Sequence, residues 1–187
     1  MIMGRSKRLE IIFHNGEPEG IRIYMRHLST IKAYVVPRIY LNEAKKLTGV
    51  DNPGVYFLIN DETGSLSKMY IGQTQKGISR LDDHNAKKDF WNKAILFLAD
   101  SQHFTLNMIS GLEKFAIQKA IDANRYQVDN KTVPKYKISE YDQPLVEEIY
   151  EEIEFIMATL GFRMNGAVAQ QNQPIFTTSR RGIIGKG

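Results

Sequence analysis

The chain has 187 residues, a net charge of +4 at pH 7 and no cysteine. Its hydrophobic share of 42% is enough for a packed core, which excludes general disorder, and the lack of cysteine excludes disulfide frameworks, thiolate metal sites and cysteine nucleophiles. The apolar runs are too short to span a bilayer, and the first ten residues lack the apolar segment of a signal peptide. We therefore expect a cytoplasmic protein with no membrane partner.

Residues 1–50 predict a β-rich N-terminal extension that ends in a short helix. Two apolar segments flank the turn sequence NGEPEG, which is typical of a hairpin, and AYVVP predicts a further strand that ends at Pro37. The segment YLNEAKKLTG then predicts a helix that ends at Gly49.

Residues 51–135 form the predicted central domain. Strands are expected at 55–60 and 68–72, joined by the polar turn DETGSLS. GISRLDDHNAKK predicts a helix, FWNKAILFLA a third strand, and residues 105–123 a long amphipathic helix. This order predicts a small α+β sandwich with helices packed on a three-stranded sheet, either mixed or antiparallel.

Residues 136–162 predict a C-terminal extension that contains one amphipathic helix ended by Gly161. From Glu140 to Glu154 there are seven acidic residues and no basic ones, so the rest of the chain is clearly basic. This distribution favours a body that binds nucleic acid and a helix that does not. Residues 163–187 have little periodicity and are expected to be a flexible tail or a truncated continuation.

Glu113 interrupts the apolar face of the long helix predicted over residues 105–123. On a helical wheel it lies near the middle of the arc that holds Leu112, Ala116 and Ile117. An ionised carboxylate buried without a partner costs on the order of several kcal/mol. Glu113 therefore pairs with a lysine or arginine at the edge of the core, or it is a metal ligand or a catalytic carboxylate.

The central hairpin carries two triplets in mirrored order, Gly-Val-Tyr ending at Tyr56 and Tyr-Ile-Gly beginning at Tyr70. Each tyrosine alone is an ordinary strand residue, and Gly72 permits a close backbone approach. Arg80 and His84 are four residues apart and so share one helix face, which is either a solvated surface or a site for phosphate contact and proton transfer.

These residues, in this order, resemble the GIY-YIG nuclease family. The similar segment runs from about Gly54 to Asn124, with Val55 in place of the signature isoleucine and a full match at Tyr70-Ile71-Gly72. The resemblance implies a three-stranded antiparallel sheet flanked by helices and a metal-dependent endonuclease that hydrolyses DNA.

The resemblance also implies a role for each motif residue. Glu113 is expected to bind one Mg²⁺ (or Mn²⁺), and Tyr56 or Tyr70 is the general base or its partner. Arg80 is expected to stabilise charge on the phosphate, and His84 to assist proton transfer.

Several further residues are expected to contact DNA. The resemblance implies contacts by Gly72, Gln73 and Asn124, although Asn130 is near enough to take the role of Asn124. Many relatives carry a lysine where Gln73 stands, and Lys76 is the nearest candidate to replace it.

The lysines that follow the motif helix are expected to track the DNA backbone together with Arg80, which predicts strong salt dependence; they are Lys87, Lys88 and Lys93. Trp91 either packs in the core or stacks on an unpaired base.

Two functions remain open from the sequence. The first is a DNA endonuclease, and the second is a catalytically silent domain of the same kind that binds nucleic acid or serves assembly. An unrelated metabolic α/β enzyme would instead predict a closed apolar pocket without a basic groove.

Overall fold

The computed structural model describes residues 6–60, 68–99, 102 and 104–164. The predicted hairpin turn at 61–67 and the tail beyond residue 164 lie outside the described residues. The strands are β1 Leu9–Phe13, β2 Arg22–Arg26, β3 Lys32–Pro37, β4 Gly54–Ile59, β5 Lys68–Thr74, β6 Lys93–Leu98 and β7 Gln127–Val128. The helices are α1 Leu41–Ala44, α2 Leu81–Lys87, α3 Leu106–Ala123 and α4 Gln143–Thr159.

The described strands form one seven-stranded mixed sheet in the order β1-β2-β3-β6-β4-β5-β7. All neighbouring strands are antiparallel except β5 and β7, which run parallel. The α+β class is confirmed, but the prediction of a three-stranded antiparallel sheet is wrong. In a sheet of β4, β5 and β6 alone, β6 would be an edge strand, although five of its six residues are buried. Strand β3 covers that edge and joins the N-terminal strands to the central hairpin.

Strand β4 lies at the centre of the core, and all six of its residues are buried. Because side chains alternate along a strand, Val55 and Phe57 face one side of the sheet while Tyr56 and Leu58 face the other. Helices α3 and α4 cover the first side. Helices α1 and α2 cover the second, so Tyr56 points towards α2.

The two long helices agree with their sequence patterns. Helix α3 begins after Thr105, whose hydroxyl accepts a hydrogen bond from the Met108 N–H, and it ends at Asn124 in the left-handed conformation. Helix α4 is followed by Gly161 at φ +90°. No helix within the described ranges is both long and apolar enough to cross a membrane.

Candidate active site on the central hairpin

The two tyrosines of the hairpin lie on the same face of the sheet. Tyr56 on β4 pairs with Gly72 on β5, and Tyr70 stands two residues before Gly72, so the phenols are diagonal neighbours with ring centroids 6.2 Å apart. A side chain on Gly72 would overlap the phenol, because an added Cβ would lie 2.5 Å from Tyr56 Cζ. The glycine of the second triplet therefore makes room for the tyrosine of the first.

The turn between β5 and α2 sets the position of Arg80 and His84. Gly77 adopts φ +52°, and a Cβ there would overlap the carbonyl of Val50. The Thr74 hydroxyl donates to the Gly77 carbonyl at 2.9 Å, which holds the turn against the end of β5. A 3₁₀ turn and α2 follow directly, so Arg80 and His84 come to lie beside Tyr56.

His84 contacts both tyrosines. Its Nε2 lies 2.6 Å from Tyr56 Oη, and its ring centroid lies 5.0 Å from that of Tyr70. Only 7% of His84 is exposed, and burial together with the positive charges of Arg80 and Lys88 lowers the pKa of His84 to about 4. The imidazole is therefore neutral at pH 7, with a nitrogen able to accept a proton.

Tyr56 keeps its proton in the free protein. Burial and the neighbouring Tyr70 raise the pKa of the Tyr56 phenol, while the Arg80 guanidinium, which is within hydrogen-bonding range, opposes the rise. Arginine is only a donor, so it donates to the phenol oxygen. In the imidazole tautomer with its proton on Nδ1, the phenol donates its own hydrogen to His84 Nε2. The three side chains form the chain Arg80–Tyr56–His84.

Glu113 approaches from α3 at the open edge of β5. The backbone N–H and the side-chain amide of Gln73 lie close enough to stabilise the negative charge of the Glu113 carboxylate, and Gln73 Oε1 accepts from the Ser110 hydroxyl at 3.1 Å. Burial raises the pKa of Glu113, and the Gln73 hydrogen bonds and the charge of Arg80 oppose that rise. Within the part of the chain that the structure describes, no lysine or arginine forms an ion pair with Glu113.

The described residues therefore do not support the predicted alternative in which Glu113 forms a salt bridge at the edge of the core. Glu113 is half-buried, and its negative charge raises the pKa of the Tyr56 phenol, so the carboxylate and the phenol lie close enough to interact. Gln73, the residue at which the predicted resemblance implied a lysine, interacts with this carboxylate without neutralising it.

The two candidate asparagines have different positions. Asn124 is the exposed residue that ends α3 at φ +48°. Asn130 lies against β5, where its side-chain amide donates to the Ile71 carbonyl at 2.7 Å and accepts from the Ile71 N–H at 3.0 Å. Asn130 therefore continues the hydrogen-bonding edge of β5 next to the position that Glu113 occupies.

An open cleft of about 540 Å³ lies next to this group of residues. Gln73 and Arg80 line it, and each of them contacts a deeper residue, Glu113 and Tyr56 respectively. Lys76 also lines the cleft, and Asp83 accepts a 2.7 Å bond from Arg80. The cleft is polar and open, unlike the closed apolar pocket expected of an unrelated metabolic enzyme.

The remaining predicted lysines lie at different distances from the cleft. Lys87 is exposed at the end of α2, and Lys88 pairs with Asp129 at 2.6 Å. Lys93 is partly buried at the start of β6, opposite Ile59. Trp91 is 2% exposed and packs in the core, under the guanidinium of Arg38.

Arg38 holds the helix that carries the site, and sequence reasoning missed it. Its guanidinium donates to Asn85 Oδ1 at 2.8 Å, to the Asn85 carbonyl at 2.9 Å and to the Trp91 carbonyl at 3.1 Å. Asn85 follows His84 directly, so the N-terminal segment fixes the part of α2 that presents the imidazole. No local pattern around Arg38 marks this contact, because its partners are about 50 residues away.

The arrangement suits chemistry on an anion. A neutral imidazole, a phenol and a guanidinium lie together, and one carboxylate with oxygen ligands for a hard cation lies beside them. Among the described residues, no three histidine, aspartate or glutamate side chains group as a metal site. Comparison with protein-family models, with curated proteins and with solved structures finds no match. The similarity to GIY-YIG nucleases therefore stays a prediction carried by the motif residues.

Proposed function

We propose that the protein is a divalent-metal-dependent endonuclease that hydrolyses DNA phosphodiester bonds. The observation that carries the proposal is the 2.6 Å contact between Tyr56 Oη and the neutral His84, with Arg80 beside the phenol. An unperturbed phenol is a poor base at pH 7, because its pKa is near 10. A phenol hydrogen-bonded to a neutral imidazole has an acceptor for its proton.

Tyr56 and His84 together would take the proton of the attacking water. As the water attacks the phosphorus, its proton passes to the Tyr56 oxygen while the phenol proton passes to His84 Nε2. Of the two tyrosines, Tyr56 suits this role because it makes the hydrogen bond, whereas Tyr70 packs its ring against the imidazole.

Arg80 would couple substrate binding to the strength of this base. Besides burial, the charges of Arg80 and Lys88 lower the pKa of His84. A phosphodiester anion bound at Arg80 offsets part of that positive charge and raises the proton affinity of the imidazole. In the free protein Arg80 donates to Asp83, so the substrate would replace one anionic partner by another.

Glu113 would hold the divalent cation. Its carboxylate supplies the oxygen ligand that Mg²⁺ or Mn²⁺ prefers, and Gln73 leaves its charge uncompensated. When bound, the cation supplies electrostatic stabilisation of charge that develops on the phosphate and on the leaving oxygen. Gln73, which lines the cleft, also stabilises the charge of this carboxylate.

The test is cleavage of supercoiled plasmid and of branched DNA with Mg²⁺ or Mn²⁺. We expect wild-type protein to nick DNA, and Glu113→Gln and Arg80→Ala to lose about 100-fold or more in rate. Glu147→Gln on the exposed face of α4 is the matched control and should cleave at the wild-type rate.

Two results would contradict the proposal. The first is wild-type protein that binds DNA but cleaves none of these substrates with either ion, which would favour the catalytically silent DNA-binding module. The second is a Glu113→Gln variant that cleaves as fast as wild type, which would remove the metal ligand from the proposal.

A further inference from the structure

Two lysines from different elements converge on one carboxylate next to Tyr70. Lys88 Nζ lies 2.6 Å from Asp129 Oδ2, and Lys68 Nζ lies 3.5 Å from Asp129 Oδ1. Both ammonium groups also lie 5.7 Å from the ring centroid of Phe90. Lys68 begins β5 and Lys88 follows α2, so the tertiary structure alone brings them together.

The backbone holds this cluster in place. The Asp129 N–H donates to the Met69 carbonyl at 2.7 Å, and the Lys88 N–H donates to the His84 carbonyl at 2.9 Å. The pair of lysines holds the pKa of Asp129 below its usual value, although burial alone would raise it. Asp129 is therefore ionised at pH 7, and the three groups together carry one net positive charge.

The surplus charge marks the cluster as an anion site rather than a closed ion pair. An ammonium has three N–H groups, and the contact with Asp129 uses one on each lysine. The side chains are 39%, 23% and 25% exposed for Lys68, Lys88 and Asp129, so solvent and solutes reach them. A phosphate oxygen can bridge the two ammonium groups in the same way as the carboxylate does.

The cluster lies one aromatic ring away from the candidate active site. Lys88 Nζ is 4.4 Å from the centroid of Tyr70, whose other neighbour is the His84 ring at 5.0 Å. Phosphates of one strand follow each other at about 3.4 Å along the duplex axis. Arg80 also interacts electrostatically with Tyr70, so a strand whose scissile phosphate binds Arg80 would present a flanking phosphate near this cluster.

We propose that Lys68 and Lys88 form a second phosphate subsite, which Asp129 orients and which binds a backbone phosphate flanking the scissile one. The inference rests on the proposed function for the identity of the strand that enters the cleft. It assigns a role to Lys68, which no motif indicates, and it makes Lys88 part of a built site rather than of a general basic surface.

The test is the salt dependence of DNA binding, measured without divalent metal in a Glu113→Gln background, so that cleavage is not needed. Lysine is replaced by methionine, which keeps the stem on the aromatic rings and removes the charge. Each lost phosphate contact should lower the slope of log Kd against log[KCl] by about 0.9. The double variant Lys68→Met/Lys88→Met should therefore lower this slope by about 1.8. Lys7→Met is the control. Lys7 also lies over an aromatic ring, but that ring belongs to Phe155 on the acidic helix α4.

The outcomes separate this proposal from the proposed function. A folded double variant that binds DNA with the wild-type slope overturns the subsite, whether or not wild type cleaves. If the double variant is unstable, Asp129→Asn is added to it, because the carboxylate has lost both lysine partners. The salt dependence of DNA binding is then measured on this triple variant. A lysine-dependent slope in a protein that never cleaves DNA supports the subsite and contradicts the endonuclease. Wild-type protein that binds no DNA overturns both.

Discussion

Replacing Gly72 by alanine perturbs the candidate site through one methyl group. The added Cβ would lie 2.5 Å from Tyr56 Cζ and 3.0 Å from Cε1, whereas ordinary contacts begin near 3.4 Å. The ring must therefore move by roughly 1 Å, although Tyr56 is only 1% exposed and has little room to move. Such overpacking costs about 1–3 kcal/mol in folding free energy.

The movement also acts on the hydrogen bond to His84. A 1 Å displacement of a reacting group can cost about 100-fold in rate, so we expect Gly72→Ala to cleave plasmid about 100-fold more slowly than wild type. The assay pairs the single-turnover cleavage rate with urea denaturation, so that lost activity is compared with lost stability in the same preparation.

Gly111→Ala provides the control. Its added Cβ would meet side-chain atoms alone, Ile138 Cγ1 at 3.0 Å, Ile138 Cδ1 at 3.2 Å and Val146 Cγ2 at 3.5 Å, and α3 gains a better helix former. We expect its stability and activity to stay near those of wild type. A Gly72→Ala protein with unchanged stability and wild-type cleavage would refute the idea that this glycine sets the position of the phenol.

Two further predictions concern the helix that carries the imidazole. The pKa of His84 is about 4 in the folded protein and near 6.5 when unfolded, so the unfolded state binds more protons between these values. Wild type should therefore lose about 2–3 kcal/mol relative to His84→Gln as the pH falls from 6.5 to 4, and parallel urea-denaturation curves for the two proteins would contradict this. Arg38→Ala should lower the free energy of unfolding by about 2 kcal/mol. It should also lower the cleavage rate at least tenfold, through kcat rather than KM. Arg38→Lys should recover little of either, because an ammonium lacks the planar fork of a guanidinium. Added guanidinium should restore part of the Arg38→Ala rate, and a variant that lost only stability would show Arg38 to have no positioning role.

The polar contacts of the site follow one pattern. Arg80 pairs with Asp83, and Lys88 pairs with Asp129, so the two cations that lower the pKa of His84 most have carboxylate partners in the free protein. Glu113 has no cationic partner of this kind among the described residues. The amide groups of Gln73 interact with its carboxylate, so its negative charge stays available to a metal ion. In the proposed enzyme, the cations would exchange a carboxylate for a phosphate, while Glu113 would gain the metal ion.

Local sequence patterns predicted the two long helices and the strands of the central hairpin. The 3.6-residue periodicity of 105–123 predicted α3, and the misplaced carboxylate at Glu113 was visible on its wheel because burial of an isolated charge is costly. The mirrored triplets placed Tyr56 and Tyr70 on paired strands of one hairpin, and the period of two along a strand is why both rings lie on one face. These features depend only on neighbours within a few residues along the chain.

The tertiary structure decided what depends on pairing between distant segments. The strands that the structure describes form one sheet because β3 pairs with β6, some 60 residues later, and no local pattern specifies that partner. The same applies to Arg38 at Asn85 and to Lys68 and Lys88 at Asp129. Periodicity records which face of an element is buried, whereas long-range contacts depend on which apolar faces meet, and only the folded chain as a whole determines that.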